Sequence, residues 1–155
     1  MAEDAPRRKT WEELKPTQGL ENARVIDEFH GTKGRVPSYE FTVVLLHHVG
    51  RKSGVERVNP VAGLPVDDDF AVFGTCAGSP THPDWYLNLM AHPRTSVEVG
   101  GTSIEVQARE TSGEERTRIW SRQKQKFPHF AAMEAMTTRT IPVVLLERVE
   151  GPRPR

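Results

Sequence analysis

The residues best suited to chemistry fall in one run, Leu45-Leu46-His47-His48-Val49-Gly50-Arg51-Lys52-Ser53-Gly54-Val55-Glu56-Arg57-Val58-Asn59-Pro60. An apolar segment gives way there to a short basic turn bounded by glycines, and a second strand-like segment follows. Gly50 and Gly54 can take backbone angles closed to other residues, so the amides between them can converge on an oxyanion while Arg51, Lys52 and Ser53 add charge and a hydroxyl. If the second segment folds back along the first, the planar fork of Arg57 comes round to the side of the turn, where it suits phosphate or carboxylate. Taken alone, the stretch also reads as an ordinary hairpin with an exposed basic turn. It is not a Walker loop, because the spacing Gly-x-x-x-x-Gly-Lys-Ser/Thr is absent and no helical pattern follows Gly54.

Other reactive side chains offer less. His47 and His48 are adjacent on a strand and point to opposite faces, so they cannot chelate one ion. His82, His92 and His129 sit beside prolines without a second ligand at helical spacing, and no metal site is expected. Asp67-Asp68-Asp69 reads as a turn, not as paired carboxylates for glycosidase work. Cys76, the single cysteine, reads as a small buried thiol in preference to a nucleophile, because no histidine stands in a partnering motif.

The 155 residues fit one domain, and 21 basic against 21 acidic side chains give no bulk field for nucleic acid or an anionic membrane. One cysteine excludes an intramolecular disulfide and suits a reducing cytoplasm. No signal peptide is readable in residues 1–20, and the run Val43–Leu46 is far too short to span a bilayer. Basic residues before Trp11 and Leu14 offer at most weak peripheral contact with a membrane.

The elements that must position the basic turn are mostly strands. Residues 1–20 read as a mobile N-terminal tail, with a short helix capped by Thr10 that stops before Pro16. Residues 21–149 read as the folded domain and 150–155 as a C-terminal tail. Val25, Ile26 and Phe29 recur at helical spacing from Glu21 to His30, a helix expected to close one end of the fold. Strands are expected over Phe41–Val49, Arg57–Val66 and Phe70–Thr75, with Pro60 requiring an edge or a bulge in the second. Cys76 to Pro80 is a loop, and Pro83 opens a short helix ending at His92-Pro93. Two further strands, Thr95–Val99 and Ser103–Glu110, meet at Gly100-Gly101. Ser112 to Glu115 has the form of a capping box and starts a helix to about Lys126, which Pro128 breaks. A second helical segment over His129–Met136 leads to the last strand, Ile141–Glu147. About six strands with no regular βαβ period predict a mainly β (α+β) fold, an antiparallel barrel with helical covers.

Gly50 to Gly54, Arg57-Val58-Asn59-Pro60, Pro83-Asp84-Trp85-Tyr86-Leu87-Asn88-Leu89, His92-Pro93 and Arg139-Thr140-Ile141-Pro142-Val143-Val144 together resemble the deazaflavin-dependent nitroreductase family. The likeness runs in order and spacing from about Asn22 to Glu147. It implies a split β-barrel and coenzyme F-420, an 8-hydroxy-5-deazaflavin with a phosphate and a polyglutamate tail. By that resemblance Arg51, Lys52, Ser53, Gly54 and Arg57 would hold the phosphate and tail. Asn59 and Pro60 would line the approach to the ring. Thr75, Cys76, Ala77 and Gly78 would lie beneath or beside it, with Trp85 and Asn88 facing it from one side of the short helix. The chain departs from the family at Cys76, where a lysine is usual.

Phe127, Phe130 and Met133 are expected to form an apolar acceptor wall without phenolic hydroxyls, suited to a flat quinone more than to a nitroimidazole. The implied reaction passes hydride from the reduced cofactor to a quinonoid or conjugated small-molecule acceptor, with a proton from solvent or from Thr75 through water. Two other readings stay open, an FMN enzyme on the same fold and a non-catalytic deazaflavin carrier. Oligomeric state is left open.

Overall fold

A computed structural model describes residues 11–37 and 39–149. Six strands, β1 (Val43–Val49), β2 (Glu56–Val66), β3 (Asp69–Phe73), β4 (Arg94–Val99), β5 (Thr102–Glu110) and β6 (Val143–Arg148), pair antiparallel into a closed barrel in the order β1-β2-β3-β6-β5-β4. Four helices complete it: α1 (Trp11–Gly31), α2 (Asp84–Ala91), α3 (Gly113–Lys126) and α4 (His129–Ala135). The split-barrel expectation is met.

Side-chain alternation divides the strands between two apolar environments. Val44 and Leu46 of β1, Val72 of β3, Val97 of β4, Val106 of β5 and Val144 and Leu146 of β6 fill the interior. Their strand neighbours Val43 and Leu45 turn outward, under Val25 and Phe29 of α1. Ala71, Phe73, Val143 and Leu145 lie under α3 and α4, against Ile119, Trp120 and Phe130. Both faces of β1, β3 and β6 are therefore largely buried, which explains the nearly unbroken apolar runs Val43–Leu46, Phe70–Phe73 and Val143–Leu146.

Two helical expectations change. The helix predicted to end before Pro16 and the one predicted from Glu21 are a single α1 that continues through the proline. One backbone hydrogen bond is lost there, but side-chain pairs further along support the helix: Gln18 with Asn22 at 2.7 Å, and Arg24 with Glu21 and Glu28 at 2.7 and 2.9 Å. The expected mobile tail is thus helical from Trp11, while residues 1–10 and 150–155 lie outside the described residues. Nor does α1 close an end of the barrel, since its apolar stripe meets the outer face of β1. Trp85 and Leu89 of α2 join the interior cluster instead, so the short helix plugs the barrel.

Ser112 takes the N-cap position of α3 but makes no side-chain cap. Glu115, the other half of the expected capping box, pairs with Arg109 at 2.7 and 3.0 Å. Pro60 lies opposite Leu45 in an uninterrupted register, and β3 joins β2 only from Gly63 onward. The first half of β2 consequently has a free edge. The amide of Gly63 bonds to the Thr42 carbonyl, so in the alternating ladder the missing N–H of Pro60 falls on the free side and costs no bond.

Candidate cofactor and substrate site

The free edge of β2 opens on a cavity of about 1500 Å³. Its walls are the β1–β2 turn, the loop after β3, the start of α2, the first half of α1 and one side of α4. Gly50, Arg51, Lys52, Ser53, Arg57, Asn59, Pro60, Thr75, Cys76, Ala77, Trp85 and Asn88 all line it.

The basic turn is more internally bonded than its sequence suggested. Gly50 donates to the Val55 carbonyl and Gly54 to the Gly50 carbonyl, each at 2.9 Å, and the Val55 amide reaches Ser53 Oγ at 3.2 Å. The Arg51 amide donates to Asn88 Oδ1 at 3.0 Å. Only the amides of Lys52 and Ser53 have no partner among the described residues, so the turn offers two unspent N–H groups and not a full ring of them. Gly54 does use the left-handed region, with φ of 70°. Gly50 does not, and a side chain there would instead meet Ser53 Oγ.

A chain of polar side chains fixes Arg51. Its guanidinium donates to Asn88 Oδ1 at 2.8 Å and reaches Asp84 Oδ1 at 3.4 Å. With that oxygen accepting twice, Asn88 Nδ2 must donate to His48 Nδ1, 3.0 Å away. His48 is then neutral and protonated on Nε2, which donates to Asn59 Oδ1 at 2.7 Å. His48 and Asn88 are each 3% exposed. Asn88 was expected to meet the ligand, but its oxygen is taken up in holding Arg51. His48 was treated only as a failed metal ligand; its place beside Asn88, 40 residues away in sequence, has no local signature.

The neighbouring histidine is in the opposite state. His47 faces outward, with Nδ1 2.9 Å from Glu56 and Nε2 2.9 Å from Glu98. Burial alone would lower its pKa, but the two carboxylates raise it above the ordinary imidazole value. Burial, with Arg57 nearby, holds His48 below that value. As pH falls through the ordinary imidazole range, the unfolded chain protonates at position 48 before the native one, so His48 makes acid destabilising. The contribution of His47 is complete below that range and is lost as pH rises through its raised folded pKa. Ring NMR titrations should therefore place His48 below and His47 above a free imidazole. Coincident titrations would rule out the bonded chain.

The loop after β3 is a left-handed 3-10 turn. Cys76, Ala77 and Gly78 have φ of 44°, 53° and 79°, and Gly78 and Ser79 donate to the carbonyls of Thr75 and Cys76 at 2.8 and 2.9 Å. Two consecutive non-glycine residues in this region are costly. Arg139 braces the loop, donating to the carbonyls of Ser79, Gly74 and Thr75 at 2.8, 2.9 and 2.9 Å. Gly78 is buried under α4, where a Cβ would lie 2.8 Å from Met136 Cβ. Of the four residues expected beside the ring, Gly78 therefore shapes the loop, while Thr75, Cys76 and Ala77 meet the cavity. Burial raises the Cys76 pKa, which fits an inert thiol.

The acceptor wall also changes. Phe127 does not line the cavity, because it packs against Phe41 and Phe130 at centroid distances of 5.9 and 6.4 Å. Phe130 is 3% exposed within the α3–α4 cluster yet still borders the cavity, as does half-buried Met133. Tyr39 and Phe41, stacked at 5.1 Å, supply aromatic surface that the sequence reading missed. The wall therefore does carry a phenol, whose hydroxyl donates to Glu21 at 2.9 Å. Among the described residues no group of three or more His, Cys, Asp or Glu is placed to hold a metal ion. No helix among them is long and apolar enough to cross a membrane.

A closed antiparallel barrel with a cationic turn facing an aromatic-walled crevice defines a binder of flat aromatic groups that carry anions. The family model of the F420H(2)-dependent quinone reductases matches residues 20–148. The chain belongs to that family and is a deazaflavin-dependent oxidoreductase. It is 33% identical over 103 residues to a Mycobacterium tuberculosis protein carrying that quinone reductase name, covering 66% of this chain and 87% of the relative. An F420H(2)-dependent quinone reductase of the same organism is 28% identical over 142 residues, covering 84% and 92%. A solved F420-H2 dependent reductase is 35% identical with a TM-score of 0.63, covering 68% of this chain and 93% of that one.

Proposed function

We propose that the protein transfers hydride from reduced coenzyme F-420 to a quinone, with the cofactor's anions at the β1–β2 turn and the acceptor on the aromatic side of the crevice. The observation that carries this is the junction, in one cavity, of Arg51, Lys52 and Arg57 with Tyr39, Phe41 and Trp85. The donor set fits the cofactor. Lys52 and Arg57 have no ion-pair partner among the described residues, and the Lys52 and Ser53 amides are unspent, as a phosphate and carboxylate tail requires.

When bound, the reduced deazaflavin would supply a hydride, which carries both electrons the acceptor takes up. Arg51, held by Asn88 and Asp84, presents a fixed charge to an anion, and Asn59 and Pro60 border the approach. Thr75 lines the cavity with a hydroxyl that has no protein partner among the described residues, so it can pass a proton through water. Trp85 anchors α2 in the barrel and offers an edge to the ring. Met133 and Phe130, with Tyr39 and Phe41, exclude water on the acceptor side. The same phosphate-binding set favours FMN less, because one phosphate leaves the remaining cations without a partner.

Absorbance titration with each cofactor, followed by turnover with a panel of quinones, tests the assignment. Arg57→Ala should weaken deazaflavin binding by about 1.5–3 kcal/mol, the range for a charge-assisted hydrogen bond. The wild-type affinity should fall with salt, and more steeply than that of the variant. Unchanged affinity at low ionic strength would exclude the turn as the anion site.

A further inference from the structure

We propose that Lys15, on the first half of α1, is a second cationic contact for the cofactor, so that its phosphate or carboxylate groups are gripped from a wall other than the β1–β2 turn. The inference rests on the cofactor reading above. Lys15, Gln18 and Asn22 follow one another by three and four residues and so share one helical face. All three line the cavity. The bond from Gln18 Nε2 to Asn22 Oδ1 at 2.7 Å leaves the Gln18 oxygen and the Asn22 nitrogen to face a ligand. Lys15 has no ion-pair partner among the described residues, and it is close enough to Cys76 for its charge to act on the thiol. It therefore stands on the side of the cavity that holds the left-handed turn.

Among the described residues the acidic groups of this region are engaged by other side chains, and Glu40, which also lines the cavity, lies 3.8 Å from His129 Nδ1. Glu21 is bound by Arg24 and Tyr39, and Asp84 by Arg51. A cation held in this way on a concave wall, with its carboxylates engaged elsewhere, is suited to an anionic ligand and has no evident role in the fold. The packing of α1 agrees. Val25 and Phe29 are 2% and 1% exposed and anchor its second half, whereas Leu20 in the first half is 77% exposed. The first half gains little from the barrel alone and more from a ligand seated beneath it.

The test is the dissociation constant of reduced and oxidised deazaflavin cofactor for the full chain, for Lys15→Ala and Lys15→Arg, and for Arg57→Ala in parallel, each at low and moderate salt. Lys15→Ala should weaken binding about tenfold, the loss of one charge-assisted contact, and flatten the salt dependence. Lys15→Arg should restore most of it, and the melting temperature should not move, because the side chain is exposed. Wild-type affinity in Lys15→Ala beside a weakened Arg57→Ala would overturn the role of Lys15 and leave the cofactor reading standing. A weaker Lys15→Ala with a lowered melting temperature and no rescue by arginine would overturn it too, as a helix effect. Failure of the unmodified chain to bind the cofactor would overturn both.

Discussion

Phe130→Ala is expected to lower the unfolding free energy by about 3–5 kcal/mol, the usual cost of emptying a packed aromatic site. The ring is 3% exposed. Its centroid lies 5.9 Å from both Phe41 and Phe73, 6.3 Å from Trp120 and 4.5 Å from His129. It thus ties α4 to β3, to α3 and to the segment before β1. Denaturant unfolding followed by circular dichroism measures the loss, and cofactor affinity should fall with it because α4 also rests on Gly78. A raised KM for quinone with an unchanged unfolding midpoint would instead make Phe130 chiefly an acceptor contact and not a core residue.

Arg139→Ala is expected to cost on the order of 3 kcal/mol, since three carbonyls lose a charged donor. The effect should be concentrated in one loop. Cys76 and Ala77 are held at φ of 44° and 53°, and without the guanidinium the turn is closed only by the Gly78 and Ser79 amides among the described residues. Amide exchange at Gly78 and Ser79, whose N–H groups close the turn, should accelerate more than exchange in β3. Cofactor binding should weaken in parallel. Arg139→Lys should recover little, because an ammonium cannot span carbonyls at both ends of the turn as a fork does. Native exchange rates in the alanine variant would show that the turn holds itself.

Strands and turns were legible because short-range physics decides them. Val43–Leu46 is apolar on both faces, Gly100-Gly101 bends the chain, and Pro60 called for an edge or a bulge, of which the barrel provides the edge. The basic turn and the residues around it were legible as candidates for the same reason. What stayed hidden depends on partners distant in sequence. Periodicity showed that Val25 and Phe29 face something apolar, but not that it is the outside of β1. Asn88 was legible as a cavity residue, but the engagement of its amide by His48 and Arg51 was not. Phe130 was legible as a wall residue and does line the cavity, but the pattern every third position did not show that protein covers most of it. Pro16 misled in the other direction, a local breaker outvoted by pairs in the turns after it.

The double use of α2 has a consequence for how such a protein can diverge. Trp85 and Leu89 fill the barrel while Asp84 and Asn88, on the same eight residues, set the orientation of Arg51. A change that retunes the anion side must therefore repack the interior at the same moment, and selection sees both defects together. The opposite wall has no such tie, since Lys15 and Gln18 stand on helix that buries little. Descendants of this chain can exchange that wall one residue at a time, so the strength of the second grip on the hydride donor should drift there while the orientation that α2 imposes on Arg51 stays fixed.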